Sequence, residues 1–431
     1  MARISLERIR GLVERPSVKN GMWMYLLQLF NTVIPLLTLP YVTRILGRDG
    51  YGLFSIALNF VGYLQVVVEY GFGMSATRKV AVRAGDDHDQ LERTFSCVLF
   101  ARVALTVACF AVTAIYCLFN TSLVVQCTCL AVMLSSILGY CVQQNWLFQG
   151  MQDMKFISIV NIVGRTVSTV LIFLLVKRAD DLYLYCLLYS VSPIISGFAG
   201  LIVAKRAYAL RIIRVGVGDV LAELKDGFFV FTTQLSSKVF GAIGVTILGV
   251  FCVPEVVGSF AAIQKIPTMM MLLWAPVSQV LYPIASRRLS QSFAAGYAFV
   301  MRVRRYALLA FGAACLVIAL FSHFIVTLAF GPEYGRDFYW TIPLLGWLLA
   351  GINNNFFGIQ VLLGSGHDKE YSTCFQIGVA ATLVLNLVLI WLFGGDGAAW
   401  APLVSELVLT ALLYRQVSRL RRASREGEGA A

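Results

Sequence analysis

Apolar runs of about twenty residues follow one another along the whole of this 431-residue sequence. Each can cross a ~30 Å hydrocarbon core at ~1.5 Å of helical rise per residue. Inside lipid every backbone amide needs a partner within the chain, so runs of this length read as helices. Twelve are legible: 22–43, 51–72, 96–118, 123–148, 156–176, 183–204, 228–251, 256–281, 306–330, 338–363, 373–393 and 397–414. The run 123–148 has room for a re-entrant or interfacial stretch. Hydrophobic residues make up 58% of the chain, charged residues 13%, and mean hydropathy is +0.77. That leaves too little polar surface for a soluble domain of this length. The expected fold is an all-α polytopic membrane protein of about twelve transmembrane helices.

Lysine and arginine positions orient the spans. With both termini inside, 26 of the 35 basic residues fall on inner tails and loops, from Arg3 and Arg8 to Arg422 and Arg425. Arg302, Arg304 and Arg305 are counted there, ahead of the run 306–330. Only Arg44, Arg48, Lys177, Arg178 and Arg336 fall outside, and Arg102, Arg165, Lys238 and Lys265 lie within spans. The formal net charge of +12 then reflects topology and contact with anionic lipid, not nucleic-acid binding. The N-terminal apolar run is too long for a signal-peptide core and lacks a small-residue cleavage site, so no cleaved leader is expected. "ISLERIRGLVE" spaces Ile4, Ile9 and Val13 as a helix lying flat on the inner leaflet would. The ten cysteines contain no C-x-x-C and read as small apolar residues; three scattered histidines suggest no metal site.

The chain is also written twice. A shift of 206 lays "KNGMWMYLLQLFNTV" over "KDGFFVFTTQLSSKV", matching Lys19 with Lys225, Gly21 with Gly227, Gln28 with Gln234 and Val33 with Val239. The same register brings Gly52 onto Gly258 and Phe54 onto Phe260. A shift of 214 pairs Gly150, Lys155, Ser158, Gly164 and Leu171 with Gly364, Lys369, Ser372, Gly378 and Leu385. Two halves that both begin inside form a parallel repeat about the membrane normal. The expected organisation is an amphipathic N-terminus (1–20), a six-helix lobe (21–204), a basic linker (205–226), a second six-helix lobe (227–416) and a tail (417–431). Two pseudo-symmetric lobes around a central cavity suit a transporter.

"PLLTLPYVTRILGRDGYGLFSIA" (35–57), "EYGFGMSATRKVA" (69–81) and "WLFQGMQDMK" (146–155) resemble the Wzx-type bacterial polysaccharide flippases of the multidrug/oligosaccharidyl-lipid/polysaccharide (MOP) exporter superfamily. The resemblance is strongest over 20–95 and fades in the second half; Glu69 stands where Asp is common. It implies flipping of undecaprenyl-diphosphate-linked oligosaccharide repeat units to the outer leaflet of the cytoplasmic (inner) membrane by alternating access. The product would feed O-antigen, capsule or exopolysaccharide assembly. Implied partners are that lipid-linked oligosaccharide and membrane lipids, with a glycan polymerase and a chain-length regulator as further candidates. No motif of the family fixes the cationic cavity residues, so those rest on physical argument.

A charge at the bilayer centre costs ~2.5–3.5 kcal/mol on insertion scales and nearly always faces a cavity or a partner. Lys238 lies ten residues into the apolar run 228–251, four after Gln234 and on its face. Gln28 and Asn31 share a face in the repeat-related helix. Lys265 follows Gln264 in the next helix, and Asn59 is its repeat counterpart at the 206 shift. Arg165 is near mid-depth, four after Asn161; Arg102 is closer to the inner end and could snorkel. Only Glu69 and Glu406 are carboxylates at or within spans, so two of the four cations lack an acidic partner. One cation at ~4 Å from a phosphate charge gains ~4 kcal/mol at an effective dielectric of ~20, which outweighs insertion. Lys238, Arg165, Lys265 and Arg102, with Gln28, Asn31, Gln234 and Asn59, are therefore the candidate substrate-binding residues. The alternative for each is a structural bond within a helix interface.

Glu69 ends a polar stripe with Asn59, Gly62 and Gln65; it could carry a proton, or anchor to Arg78 and headgroups. Glu406 is a weaker candidate for the same coupling role. No cofactor is expected, with proton or sodium coupling left open. Pro35, Pro40, Pro267 and Pro276 punctuate the first and eighth spans as kinks. "GINNNFFGIQ" (351–360) could contact sugar hydroxyls or form an interhelical hydrogen-bond cluster. No P-loop occurs, and outer loops of a few residues leave no room for the acids or metal of a membrane polymerase or glycosyltransferase. The closer alternatives are a drug/cation antiporter or a lipid II flippase of the same superfamily.

Overall fold

A computed structural model describes residues 16–83, 88–120 and 123–429; the expected amphipathic stretch at Ile4–Val13 lies outside them. Among the described residues there are helices and no strand. Ten helices among the described residues are long and apolar enough to cross a membrane, or eleven with the broken pair Val217–Val239 and Gly241–Phe251 counted as one span. One of them, Lys19–Val82, has 64 residues, about three bilayer thicknesses of helix. Gly47 divides it with a φ of 67° in the left-handed region that glycine adopts without strain. Splitting it there makes twelve spans, as the hydropathy reading expects.

Two span edges differ from that reading. The ninth span is Phe293–Leu320, not 306–330. Arg304 is carried inside it because its guanidinium has partners there: Asn353 accepts from Nε at 2.7 Å, and the Phe357 ring lies 4.9 Å away. The apolar residues beyond Leu320 form a separate short helix, Ser322–Phe330, followed by the 3-10 segment Pro332–Trp340. The fourth span is broken into Val124–Met133, Ser135–Val142 and Asn145–Gly150, with Gln143 extended between the last two. In the eighth, Gln264 separates Pro254–Ile263 from Lys265–Gln291. Pro267 thus stands in a first helical turn, where its missing N–H costs nothing. Pro276 and Pro283 are the interior prolines there, as Pro35 and Pro40 are in the first span.

The chain forms two compact units. The first comprises the described residues to Leu46 with Leu53–Gly241; the second comprises Gly47–Gly52 with the described residues from Ala242. In the first unit, spans one and five run parallel. Ser158 donates to the Trp23 carbonyl at 2.7 Å, and the Tyr41 hydroxyl donates to the Val176 carbonyl at 2.7 Å. The start of Val217–Phe251 packs antiparallel to span two. Val230 meets Gly71, and Phe231 stacks on Tyr70 at 4.5 Å. These contacts join 227–241, which the repeat register assigns to the second half, to the first unit.

The stretch between the halves is a bonded strap. The Arg211 and Ile213 amides donate to Glu92 Oε1 (2.8 Å) and Ser96 Oγ (3.0 Å). The Tyr208 hydroxyl donates to Asp153 Oδ2 at 2.6 Å. Burial, then that hydrogen bond, push the Tyr208 phenol well above its ordinary range. Lys79 pairs with Glu223 at 2.8 Å and Asp226 at 2.7 Å, and Arg93 with Asp219 at 2.9 Å. Helix 217–251 therefore leaves the strap held by three acids on two basic partners.

Candidate polar sites within the helical units

The first unit buries a polar stripe on span two. Asn59, Gly62, Gln65 and Glu69 recur at helical spacing, and Gly62 is buried. The Lys238 side chain lies across this bare position. A methyl built on Gly62 would sit 2.6 Å from Lys238 Nζ and 2.8 Å from Cε. Lys238 is half-buried and makes no ion pair or side-chain hydrogen bond among the described residues. Gln234, one turn before it, is half-buried as well. Glycine at 62 thus lets a long cationic side chain reach the stripe that the sequence reading singled out separately.

Arg165 sits halfway along Met154–Leu175 and donates from Nη1 to Asn31 Oδ1 at 2.7 Å. Two residues named separately from sequence are therefore partners. Tyr140 and Tyr189, unforeseen in the sequence, lie within electrostatic range of Arg165. One turn before it, Asn161 bridges the break in the fourth span. Its amide donates to the Ile157 carbonyl at 2.7 Å, and its oxygen accepts from Gln143 at 3.3 Å.

Arg102 is buried, with 4% of its surface exposed. It donates to the Gln143 carbonyl, freed by the helix break, and lies 5.8 Å from the centroid of Phe72. Glu69 is its electrostatic counterpart and accepts from Gln65 at 2.8 Å. The guanidinium therefore points into the unit and does not snorkel. Glu69 is bonded to Gln65 and has Arg102 within electrostatic range, where the sequence suggested Arg78. Gln28 is exposed on span one, and Asn59 is half-buried with its own partners.

In the second unit the asparagine run is an interhelical cluster. Asn353 accepts from Arg304 at 2.7 Å, Asn354 donates to Glu406 Oε2 at 2.5 Å, and Asn355 accepts from Ser278 at 2.8 Å. Three consecutive amides thus reach three different helices. The run continues into a π-helical segment, Phe356–Leu362, where Gln360 is fully buried and donates to Ser278. π-helical turns mark places where a helix is re-aimed and recur at functional sites. Lys265 is exposed, has interactions of its own, and begins the helix after the Gln264 break. Among the described residues no three histidine, cysteine or acidic side chains gather as a metal site.

Comparison with known proteins follows from this architecture. A family model described as "Polysaccharide biosynthesis protein" matches residues 17–288, more than half of the chain. The chain belongs to the polysaccharide biosynthesis protein family. Over 401 residues it is 28% identical to the "Putative O-antigen transporter" of Escherichia coli (strain K12), covering 92% of this chain and 95% of that one. A protein of the same name from Shigella dysenteriae is 23% identical over 407 residues, covering 93% and 99%. Two solved structures share the fold. The lipid II flippase MurJ, in an inward closed conformation, has a TM-score of 0.69 at 12% identity, covering 92% of this chain and 87% of its own. An inward-facing MATE family multidrug transporter of the MOP superfamily has a TM-score of 0.65 at 14% identity, covering 91% and 96%. Both of these relatives are named as transporters, and both solved structures are of membrane transport proteins.

Proposed function

We propose that this polysaccharide biosynthesis protein flips undecaprenyl-diphosphate-linked oligosaccharide repeat units from the inner to the outer leaflet of the cytoplasmic membrane. It works by alternating access, with both termini cytoplasmic, and supplies O-antigen, capsule or exopolysaccharide assembly. The observation that carries this reading is Lys238: a half-buried ammonium deep in an apolar helix, laid over Gly62 without an acid or hydrogen-bond acceptor among the described residues. Such a group is costly in lipid unless water or an anion meets it. A lipid diphosphate supplies that anion. Arg165, steered by Asn31, offers a second donor set, and guanidinium groups suit phosphate and sugar oxygens. Gln234, one turn before Lys238 and half-buried like it, adds a polar group beside the ammonium.

Complementation of a strain lacking its own repeat-unit flippase tests the activity. Surface glycan is restored by the wild-type chain and lost with Lys238→Ala at equal membrane abundance. Rescue of a strain lacking lipid II flippase, without rescue of the glycan strain, would assign the peptidoglycan precursor instead.

A further inference from the structure

Among the ionisable groups of the second unit that lipid binding does not use is Glu406. Glu406 is half-buried in Gly395–Gly429. The Asn354 amide nitrogen donates to its Oε2 at 2.5 Å and to its backbone carbonyl at 2.9 Å. The orientation of that amide is set at its other end, where Asn354 Oδ1 accepts from Thr410 at 2.7 Å. Glu406 therefore faces a donor, and the oxygen that could have helped to coordinate a metal cation is engaged elsewhere. A hard cation is held by several oxygens at once; here one carboxyl stands against an N–H.

Its other surroundings supply no counter-charge. Helix Asp368–Phe393 contributes the Tyr371 phenol, within electrostatic range. Thr341–Asn355 contributes Asn354 and the bare Gly351, on which a methyl would lie 3.9 Å from Glu406 Oε1. The π-helical segment presents Gly358 to Tyr371 and Leu413. Arg304, on Phe293–Leu320, is committed to Asn353 and Phe357. Met271, from Lys265–Gln291, fills the space beside Gly351. Pro254–Ile263 carries Glu255 as its one charged side chain. The 3-10 segment 332–340 meets this helix at Asp396, which accepts from Tyr339 and Trp340. No ion pair to Glu406 is made among the described residues. Glu69, by contrast, has Arg102 within electrostatic range.

We propose that Glu406 is a proton-binding site that cycles between its acid and carboxylate forms, and that this cycle couples a proton gradient to transport. The coupling half of this inference rests on the flippase reading; the proton site itself does not. Its chemistry is the reversible transfer of one proton to a carboxylate oxygen, with Asn354 holding the carboxyl in place in both forms.

Infrared spectroscopy of the full chain in lipid nanodiscs reads the site directly. Wild type and Glu69→Gln are expected to show a protonated-carboxyl stretch at neutral pH that Glu406→Gln lacks, with the melting temperature of Glu406→Gln near that of wild type. The absence of that band from wild type, or its persistence in Glu406→Gln, overturns the proton site. In vesicles loaded with lipid-linked oligosaccharide, an imposed pH gradient is expected to stimulate wild-type flipping several-fold and to leave Glu406→Gln unstimulated. Wild-type flipping that ignores the gradient overturns the coupling, and wild type that flips nothing overturns the transport reading alone. Sodium-dependent stabilisation of wild type that Glu406→Gln loses would replace the proton with a sodium ion and overturn the assignment.

Discussion

Gly52 and Gly258 press backbone against backbone in the second unit. A methyl on Gly52 would lie 1.8 Å from the Pro254 carbonyl oxygen, and one on Gly258 would lie 2.0 Å from that of Arg48. They are one of the position pairs that the 206-residue register superimposes, so two positions matched in the sequence stand in direct contact. The junction is bolted on either side. Arg48 donates from Nε to Ser259 at 2.7 Å and from Nη2 to Asp337 at 2.5 Å. The Tyr334 hydroxyl donates to the Gly47 carbonyl at 3.0 Å.

Because the opposing atoms are backbone, neither glycine tolerates a side chain without a shift of a helix. Gly52→Ala and Gly258→Ala are each expected to destabilise the protein by at least ~1–3 kcal/mol, the usual cost of overpacking. Gly312 lies in a helix with nothing within 4 Å of a built methyl, so Gly312→Ala should be neutral or stabilising by up to ~1 kcal/mol. Thermal unfolding in detergent checks the contrast. Equal melting temperatures for all three variants would contradict the close packing.

Gly62 differs from that pair because the atoms it meets belong to the far end of a flexible side chain. Gly62→Leu should displace the Lys238 ammonium from the stripe while leaving the fold intact. Transport is expected to fall at least ~10-fold, equivalent to ~1.4 kcal/mol, with membrane abundance and melting temperature near those of wild type. Surface glycan at wild-type levels in this variant would show that the lysine's position over Gly62 is immaterial.

The buried Arg102 is expected to be structural. Arg102→Met leaves the buried Gln143 carbonyl without its donor and removes the cation within electrostatic range of Glu69; a buried acceptor left unsatisfied costs ~1–3 kcal/mol. Adding Glu69→Gln should recover part of the loss, with a coupling of ~0.5–3 kcal/mol in a double-mutant cycle. Additive effects of the two substitutions on the unfolding midpoint would dissociate them.

Much of this was legible because a bilayer imposes its length on the chain. The twelve spans follow from hydropathy, and the Gly52–Gly258 pair was visible as a repeat register before any contact was known. Lys238 and Arg165 stood out because charge within an apolar run is expensive. What escaped the sequence depended on partners far away along the chain. Arg304 looked like a loop residue because three arginines in four positions interrupt the apolar run; Asn353, 49 residues on, is what lets it stay inside a helix. The Arg48–Asp337 pair joins residues 289 positions apart, and no local pattern predicts it. The break at Gln143 is likewise non-local, since its freed carbonyl is taken by Arg102 from another span. The asparagine run was legible as polar but not as three separate bonds to three helices.

The central claim is that an embedded ammonium receives a phosphate-bearing lipid. Native mass spectrometry of the purified protein with undecaprenyl diphosphate measures this directly, comparing wild type with Lys238→Ala and Lys238→Arg. The account predicts that wild type and Lys238→Arg retain the lipid, whereas Lys238→Ala binds it at least ~10-fold more weakly. Equal retention by Lys238→Ala and wild type would contradict it.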